Sequence, residues 1–254
     1  MINSSLSNVS KQVILGSVLG DGFLQLNEKN VSLSVRHSVK RHEYIFWKIN
    51  CLQNITLEND FFINENDLSS QLKMGFQTSV CESLMTIFNL VGNRKIEVKR
   101  KWLNQLTPLG LCVWWLDDGC IVADNKGFLC TEAFSYDEQL LMVRYFRVVW
   151  KINPKIVQRK IKYRLRFNAT ELKKLLLIVL PFIPVKNMLY KGVLLYKNTE
   201  MQERWISEVE RLSCFTRKDV EECIQTRKQI LQRFSKEEIS ENDIVHTRSN
   251  MGRI

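Results

Sequence analysis

The residues whose placement carries the most chemistry are the carboxylates of two short acidic turns. Gly20-Asp21-Gly22 closes the apolar segment Val13–Leu19, and Asp117-Asp118-Gly119 closes a second one, Leu109–Leu116. The C-terminal end of a helix is electrostatically negative, so a carboxylate there costs stability unless something positive offsets it. A divalent cation shared between two converging helix ends would do so, drawing oxygens from Asp and from the unpaired carbonyls of each last turn. Gly22 and Gly119 are expected to act as left-handed caps that turn the chain directly into a strand.

A second pattern points to a polyanion. In Arg159–Phe167 the cations Lys160, Lys162, Arg164 and Arg166 alternate with Ile161, Tyr163, Leu165 and Phe167, the period of a strand with one apolar and one cationic face. Side chains on one face then recur every ~6.6 Å, close to two phosphate steps along one DNA strand. A ribbon of this kind fits a duplex groove. In the first half of the chain, Ser32, Ser34 and Arg36 alternate with Val31, Leu33 and Val35, a polar face better suited to base reading than to charge neutralisation. The cluster Arg94, Lys95, Lys99, Arg100 and Lys101 between the two halves could contact backbone phosphates.

The elements that must hold these residues repeat. After Gly22 come strand-like runs Phe23–Leu26 and Val31–Arg36, joined by Asn-Glu-Lys-Asn, then a helix over Arg41–Gln53. After Gly119 come Cys120–Ala123 and Phe128–Thr131, joined by Asp-Asn-Lys-Gly, then a helix from a Ser135 cap to about Trp150. Each half adds a second strand pair and another helix, with Leu72–Thr78 leading to Cys81–Leu90 and Lys160–Phe167 leading to Thr170–Leu180. The pattern predicts a duplicated α+β fold, with a first half over 1–104, a second over 105–197 and an appended helical tail over 198–254.

Composition agrees with a folded, nucleic-acid-binding chain. The 254 residues are 45% hydrophobic and 25% charged, which excludes disorder as the dominant state. Net charge is +10, and from Glu200 onward 10 Lys and Arg meet 11 Asp and Glu, so the basic excess lies before the tail. Seven cysteines without a C-x-x-C pair, with only three histidines, argue against a zinc site or a disulfide framework and for a reducing compartment. The greasiest stretch, Leu172–Phe182, contains Lys173 and Lys174 and is too short to span a membrane. Met1–Ser10 does not read as a secretory or transit signal.

Ile14-Leu-Gly-Ser-Val-Leu-Gly-Asp-Gly22 and Leu111-Cys-Val-Trp-Trp-Leu-Asp-Asp-Gly119 resemble the two motifs of a single-chain LAGLIDADG homing endonuclease. Arg36-His-Ser-Val-Lys-Arg-His-Glu-Tyr44, Leu106-Thr-Pro-Leu-Gly110 and Ile183-Pro-Val-Lys-Asn-Met-Leu-Tyr-Lys191 are similar to the omega-type, intron-encoded members, and the resemblance spans about residues 11–195. It implies two αββαββα-like halves related by a pseudo-twofold axis, with paired central helices and a β-saddle over a long, asymmetric double-stranded DNA target. It further implies that Asp21 and Asp118 bind catalytic Mg²⁺, for which Mn²⁺ would substitute, with Gly20 and Asp117 beside them in the metal set. Lys95 and Lys191 match the lysines near the scissile phosphates. Asp117 is expected as a helix-end neighbour, a switch between the adjacent carboxylates remaining open. The implied activity is a staggered double-strand cut by a monomer encoded in an organelle or working in a bacterial cytoplasm. A maturase acting on its host intron RNA and a catalytically silent DNA-binding regulator are the alternatives.

Overall fold

Ser7 opens the first helix, its hydroxyl accepting the Ser10 backbone N–H, and α1 (Asn8–Leu19) follows with nearly every residue from Gln12 onward buried. A helix buried all round belongs at the centre of a fold. The structure, a computed structural model, describes residues 6–27, 30–56, 61–65, 72–92 and 97–236. From α1 the chain runs into β1 (Gly22–Asn27), β2 (Asn30–Ser38), α2 (His42–Cys51), β3 (Phe61–Glu65), β4 (Leu72–Gln77) and α3 (Glu82–Val91). A short α4 (Arg100–Leu103) leads to the second central helix, α5 (Pro108–Asp118), which starts on Pro108, where a missing N–H is harmless.

The second half repeats the first: β5 (Gly119–Ile121), β6 (Gly127–Leu129), α6 (Tyr136–Tyr145), β7 (Lys155–Arg159), β8 (Lys162–Phe167) and α7 (Ala169–Val179). Both sheets are four-stranded and antiparallel, with the same order of first, second, fourth and third strand. The α+β class and the duplication are therefore as expected. Ser135 and Glu138 form a reciprocal capping box at the start of α6. Beyond Asn198, whose side chain caps the next helix, α8 (Thr199–Leu212) and α9 (Arg217–Lys236) fold back, so that Trp205, Val209, Val220 and Ile224 join the apolar core.

The two central helices touch along their glycines. A Cβ on Gly16 would sit 2.4 Å from the Gly110 carbonyl oxygen and 2.8 Å from Val113 Cβ, and one on Gly20 would sit 2.4 Å from Asp117 Cβ. Gln12 ties the start of α5 to α1, donating to the Gln105 carbonyl at 2.9 Å and accepting the Thr107 N–H at 2.8 Å. Trp114 and Trp115, bulky where the motif is otherwise compact, turn away from this seam. Trp114 packs on Phe146 and Trp115 on Phe167, each inside the second half's own core.

Three local expectations need correction. Neither motif glycine adopts a left-handed conformation; Gly119 has φ −76°. Glycine is needed for space instead, because a Cβ would lie 2.8 Å from the Ser17 carbonyl oxygen at Gly22 and 2.3 Å from the Trp115 ring at Gly119. The cationic strand is interrupted: Lys160, at φ 53°, and Ile161, 89% exposed, form the turn between β7 and β8. Alternation could not reveal that reversal, because a two-residue turn preserves the polar-apolar order. Finally, β5 and β6 are only three residues each, the chain bending at Ala123–Asn125 where Asp124 and Asn125 have positive φ.

The Gly16 contact is with backbone, which cannot rotate away. Gly16→Val is expected to cost roughly 1–3 kcal/mol, read as a lower midpoint of denaturant unfolding with an unchanged slope; a midpoint equal to wild type contradicts this seam.

Candidate metal centre and nucleic-acid interface

Where α1 and α5 end together, three side chains and one backbone N–H of the first half close around one carboxylate of the second. Lys48 Nζ, on α2, donates to both Asp117 oxygens at 2.9 Å, and the Tyr44 hydroxyl donates to Oδ1 at 3.0 Å. The Asp21 backbone N–H reaches Oδ2 at 3.4 Å. His37, on β2, lies between the two acids, with Nδ1 3.2 Å from Asp21 Oδ2 and Nε2 3.4 Å from Lys48 Nζ. The side chains of Lys48 and Asp117 are completely buried. Charges removed from water in this way hold only when paired and hydrogen-bonded.

These contacts fix the protonation states. Burial and the neighbouring ammonium of Lys48 push the His37 imidazole below its usual range, favouring a neutral ring that offers Nε2 to Lys48 and Nδ1–H towards Asp21. Burial alone would raise the Asp21 carboxyl, but His37, Lys48 and Arg41 together hold it well below the usual carboxylate range. Asp21 is thus ionised, with a quarter of its side chain open to solvent. Burial and then Asp117 push the Tyr44 hydroxyl well up, so it stays a donor.

Lys191 serves the helix end itself. Its ammonium, almost wholly buried, donates to the carbonyls of Leu116 and Asp117, and its own carbonyl accepts Trp115 Nε1–H at 2.8 Å. Burial, then Arg41, lowers its pKa from that of an ordinary lysine. A cation on the last carbonyls of α5 offsets the dipole that makes Asp117 and Asp118 costly there. Lys95 lies outside the described residues, as do Arg94 and the turn residues Glu28 and Lys29.

Among the described residues, Asp21, His37 and Asp117 are the group of potential metal donors that converges, with ligand atoms within 4.8 Å of one another. Asp118 does not belong to it. Successive helix residues point about 100° apart, and it is Asp117 that faces α1 at Gly20. Asp118 is 7% exposed, and its carbonyl accepts the Cys130 N–H. Asp117 has Lys48 and Tyr44 on one oxygen and Lys48 and the Asp21 N–H on the other, which fills its acceptor capacity. A cation approaching Asp117 would have to compete with these donors. Asp21 fits a hard divalent ion as an ionised oxygen donor with a quarter of its side chain open to solvent, whereas His37 Nδ1 carries its proton towards Asp21 and orients that carboxylate.

The outer faces of the two sheets differ. On the first, Ser34 and Arg36 are half-buried and Arg36 lies over the Phe62 ring, whereas Ser32 is fully buried and accepts from Gln77 Nε2 at 3.1 Å. On the second, strand register places Lys155 beside Arg166, Val157 beside Arg164 and Arg159 beside Lys162. Lys155, Lys162 and Arg166 are exposed, while Arg159 is engaged with Glu132 at 3.3 Å. Lys160 remains exposed in the turn. Cations therefore gather on the second sheet, and Lys155 and Arg159 join the expected set through β7.

Sequence reasoning missed the Lys48, His37 and Tyr44 roles. A signal existed: Tyr44, Ile45 and Lys48 share one helical face, so a lysine stands in the apolar stripe of α2, and a buried lysine calls for a buried acid.

The family model described as the LAGLIDADG DNA endonuclease family matches residues 11–175. The chain belongs to that family. DNA endonuclease I-ChuI of Chlamydomonas applanata is 23% identical over 209 residues, covering 74% of this chain and 95% of that protein. Protein RecA of Mycolicibacterium flavescens is 30% identical over 151 residues, 51% of this chain and 33% of that protein. The chain thus spans about a third of the length of that RecA protein. A solved structure of the homing endonuclease I-WcaI bound to its DNA recognition sequence superposes with a TM-score of 0.69 at 19% identity, covering 76% of this chain and 89% of that one. That likeness establishes the LAGLIDADG fold. No helix among the described residues is long and apolar enough to cross a membrane.

Removing one partner of a fully buried ion pair leaves the other uncompensated. Lys48→Met is expected to lower stability by about 3–5 kcal/mol, and adding Asp117→Asn should recover part of that loss; equal stability of wild type and Lys48→Met in chemical denaturation contradicts the pairing.

Proposed function

We propose that this chain is a site-specific endonuclease that makes a staggered double-strand break in a long, asymmetric DNA duplex, using Mg²⁺ or Mn²⁺ held by Asp21 and Asp118. The observation that carries the reading is the junction of two acidic helix ends between two sheets, with the ionised Asp21 at its open side. Membership of the LAGLIDADG DNA endonuclease family supports it, as does the cationic outer face of the second sheet.

Asp21 and Asp118 would hold the divalent cation, which when bound would supply an activated water and stabilise the departing oxygen. Everything else falls to this chain. Asp21 is ionised before any substrate arrives, so no proton has to leave it. Asp118 lies outside the group that converges with Asp21, but Lys48 and Tyr44 already occupy the Asp117 oxygens, so on the family resemblance Asp118 would be the carboxylate that α5 contributes, with Gly20 and Asp117 beside it. Arg41 Nη1, 3.9 Å from Asp21 Oδ2, and Lys191 place positive charge behind the acids, where it would stabilise a pentavalent phosphate. Lys95 is retained as a further candidate beside the other scissile phosphate. DNA would lie across both outer faces, with Lys155, Lys160, Lys162 and Arg166 on phosphates and Ser34 and Arg36 towards base edges.

In cleavage assays on duplex sites selected from a random library in Mg²⁺, Asp21→Asn and Asp118→Asn should each lose double-strand cutting by at least about 100-fold while binding of uncut duplex persists. Full cutting by both variants contradicts the proposed ligands.

A further inference from the structure

The appended helices reach back to the junction of the acids. Between α7 and α8 the chain forms a 3₁₀ turn, Lys186–Lys191, that carries Lys191 and, beside it, Tyr190. One side of α9 holds both ends of this turn. Lys186 pairs with Asp219 at 2.6 Å and Glu222 at 2.8 Å, and Arg227, about two turns beyond Asp219, donates from Nη1 to the carbonyl of the fully buried Val193. Eight residues of α-helix and six of 3₁₀-helix both rise ~12 Å, so the two attachments match in span. They differ in weight. Lys186 is half exposed, and ion pairs of that kind contribute little, whereas Arg227 is half-buried and held against a buried carbonyl. Arg227 also faces Tyr190. The Tyr190 hydroxyl accepts from Arg41, and Lys191 feels its oxygen as well. One phenolic oxygen, with two lone pairs, thus stands among three cations that otherwise repel one another. Arg41 is the one that reaches the acids, its Nη1 3.9 Å from Asp21 Oδ2.

We propose that Arg227 is a positioning residue: it fixes the Tyr190 hydroxyl on Arg41, and Arg41 beside Asp21, so that the appended helices preorganise the cleavage site from outside the duplicated fold. This rests on the endonuclease reading above and gives the tail a part in it. Stability alone does not call for such an arrangement, because apolar side chains would join α9 to the turn without the cost of desolvating a guanidinium. What a guanidinium adds is direction, since its donors form a rigid planar fork. A cation beside an acid favours the charge that develops on a reacting phosphate when its place is set before the reaction begins. Arg41 ends the short turn Val39–Arg41, and a side chain of its length loses several rotamers when it is held in one. Tyr190 selects that one. Tyr190 depends in turn on a 3₁₀ segment, whose internal hydrogen bonds are poorer than those of an α-helix, and the Arg227 bond to Val193 secures it just past its end.

The test is single-turnover cleavage of duplex sites that the wild-type full chain selects from a random library in Mg²⁺, compared with Arg227→Met, Arg227→Lys, Tyr190→Phe, the double variant Arg227→Met with Tyr190→Phe, and Arg204→Gln. Arg227→Met and Tyr190→Phe should each slow cutting about 10- to 100-fold while uncut duplex binds as it does to wild type. The double variant should be no slower than the slower single one, because both changes break the same link. Arg227→Lys keeps one donor for Val193 and should recover part of the rate, and Arg204→Gln, exposed on α8, should cut as wild type does. Without metal, amide hydrogen exchange over residues 188–193 should be faster in Arg227→Met. A wild-type rate in Arg227→Met or Tyr190→Phe overturns the inference, as does unchanged exchange over 188–193. Losses that multiply in the double variant also overturn it, since they mean that the two residues act separately. If Arg227→Met does not fold, Tyr190→Phe, which lacks only one oxygen, decides the matter by the same rate. Failure of wild type to cut any duplex overturns the endonuclease reading and this inference with it, whereas a cutting wild type with an equally fast Tyr190→Phe overturns this inference alone.

Discussion

The pair formed by Lys48 and Asp117 is the contact on which the rest of the molecule depends. It joins a helix of the first half to the central helix of the second, out of water, at the point where both motif helices stop. Such a pair is an uncertain source of stability and a strong source of position, because only one arrangement satisfies both charges. The arrangement here also requires Gly20, since any side chain there would collide with Asp117. Close helix contact and buried charge therefore enforce one another. Where Asp21 sits relative to α5 follows from both.

The duplication hides an asymmetry of function. Both halves have the same strand order and present a helix end to the axis. The first half supplies Asp21 with His37 and Arg41 beside it, and also Tyr44 and Lys48; the second supplies Asp117, which Tyr44 and Lys48 hold, and Lys191, which caps its own helix. The outer faces divide in the opposite sense, hydrogen-bonding groups on the first sheet and the exposed cations Lys155, Lys162 and Arg166 on the second. On the proposed function, the two faces would each meet a different half-site of an asymmetric duplex.

Much of this was legible in the chain. The two acidic turns and the hairpin after each announced a duplicated fold, since local patterns of that kind depend on few partners. The positive offset demanded at the helix ends was also legible, but its chemistry was not. Lys48 and Lys191 supply part of it before any metal is considered, and both come from distant segments that only the tertiary fold brings in. The turn at Lys160 escaped because it respects the alternation of the strands around it. Asp117 and Asp118 could not be told apart from their order alone; rotation about α5 decides which faces α1.

The most direct test is anomalous diffraction from crystals of the protein with uncut duplex and Mn²⁺. The account predicts manganese density bound by Asp21 and Asp118, with Asp117 still paired to Lys48. Density ligated by Asp117, with the Lys48 ammonium displaced from its oxygens, would contradict it.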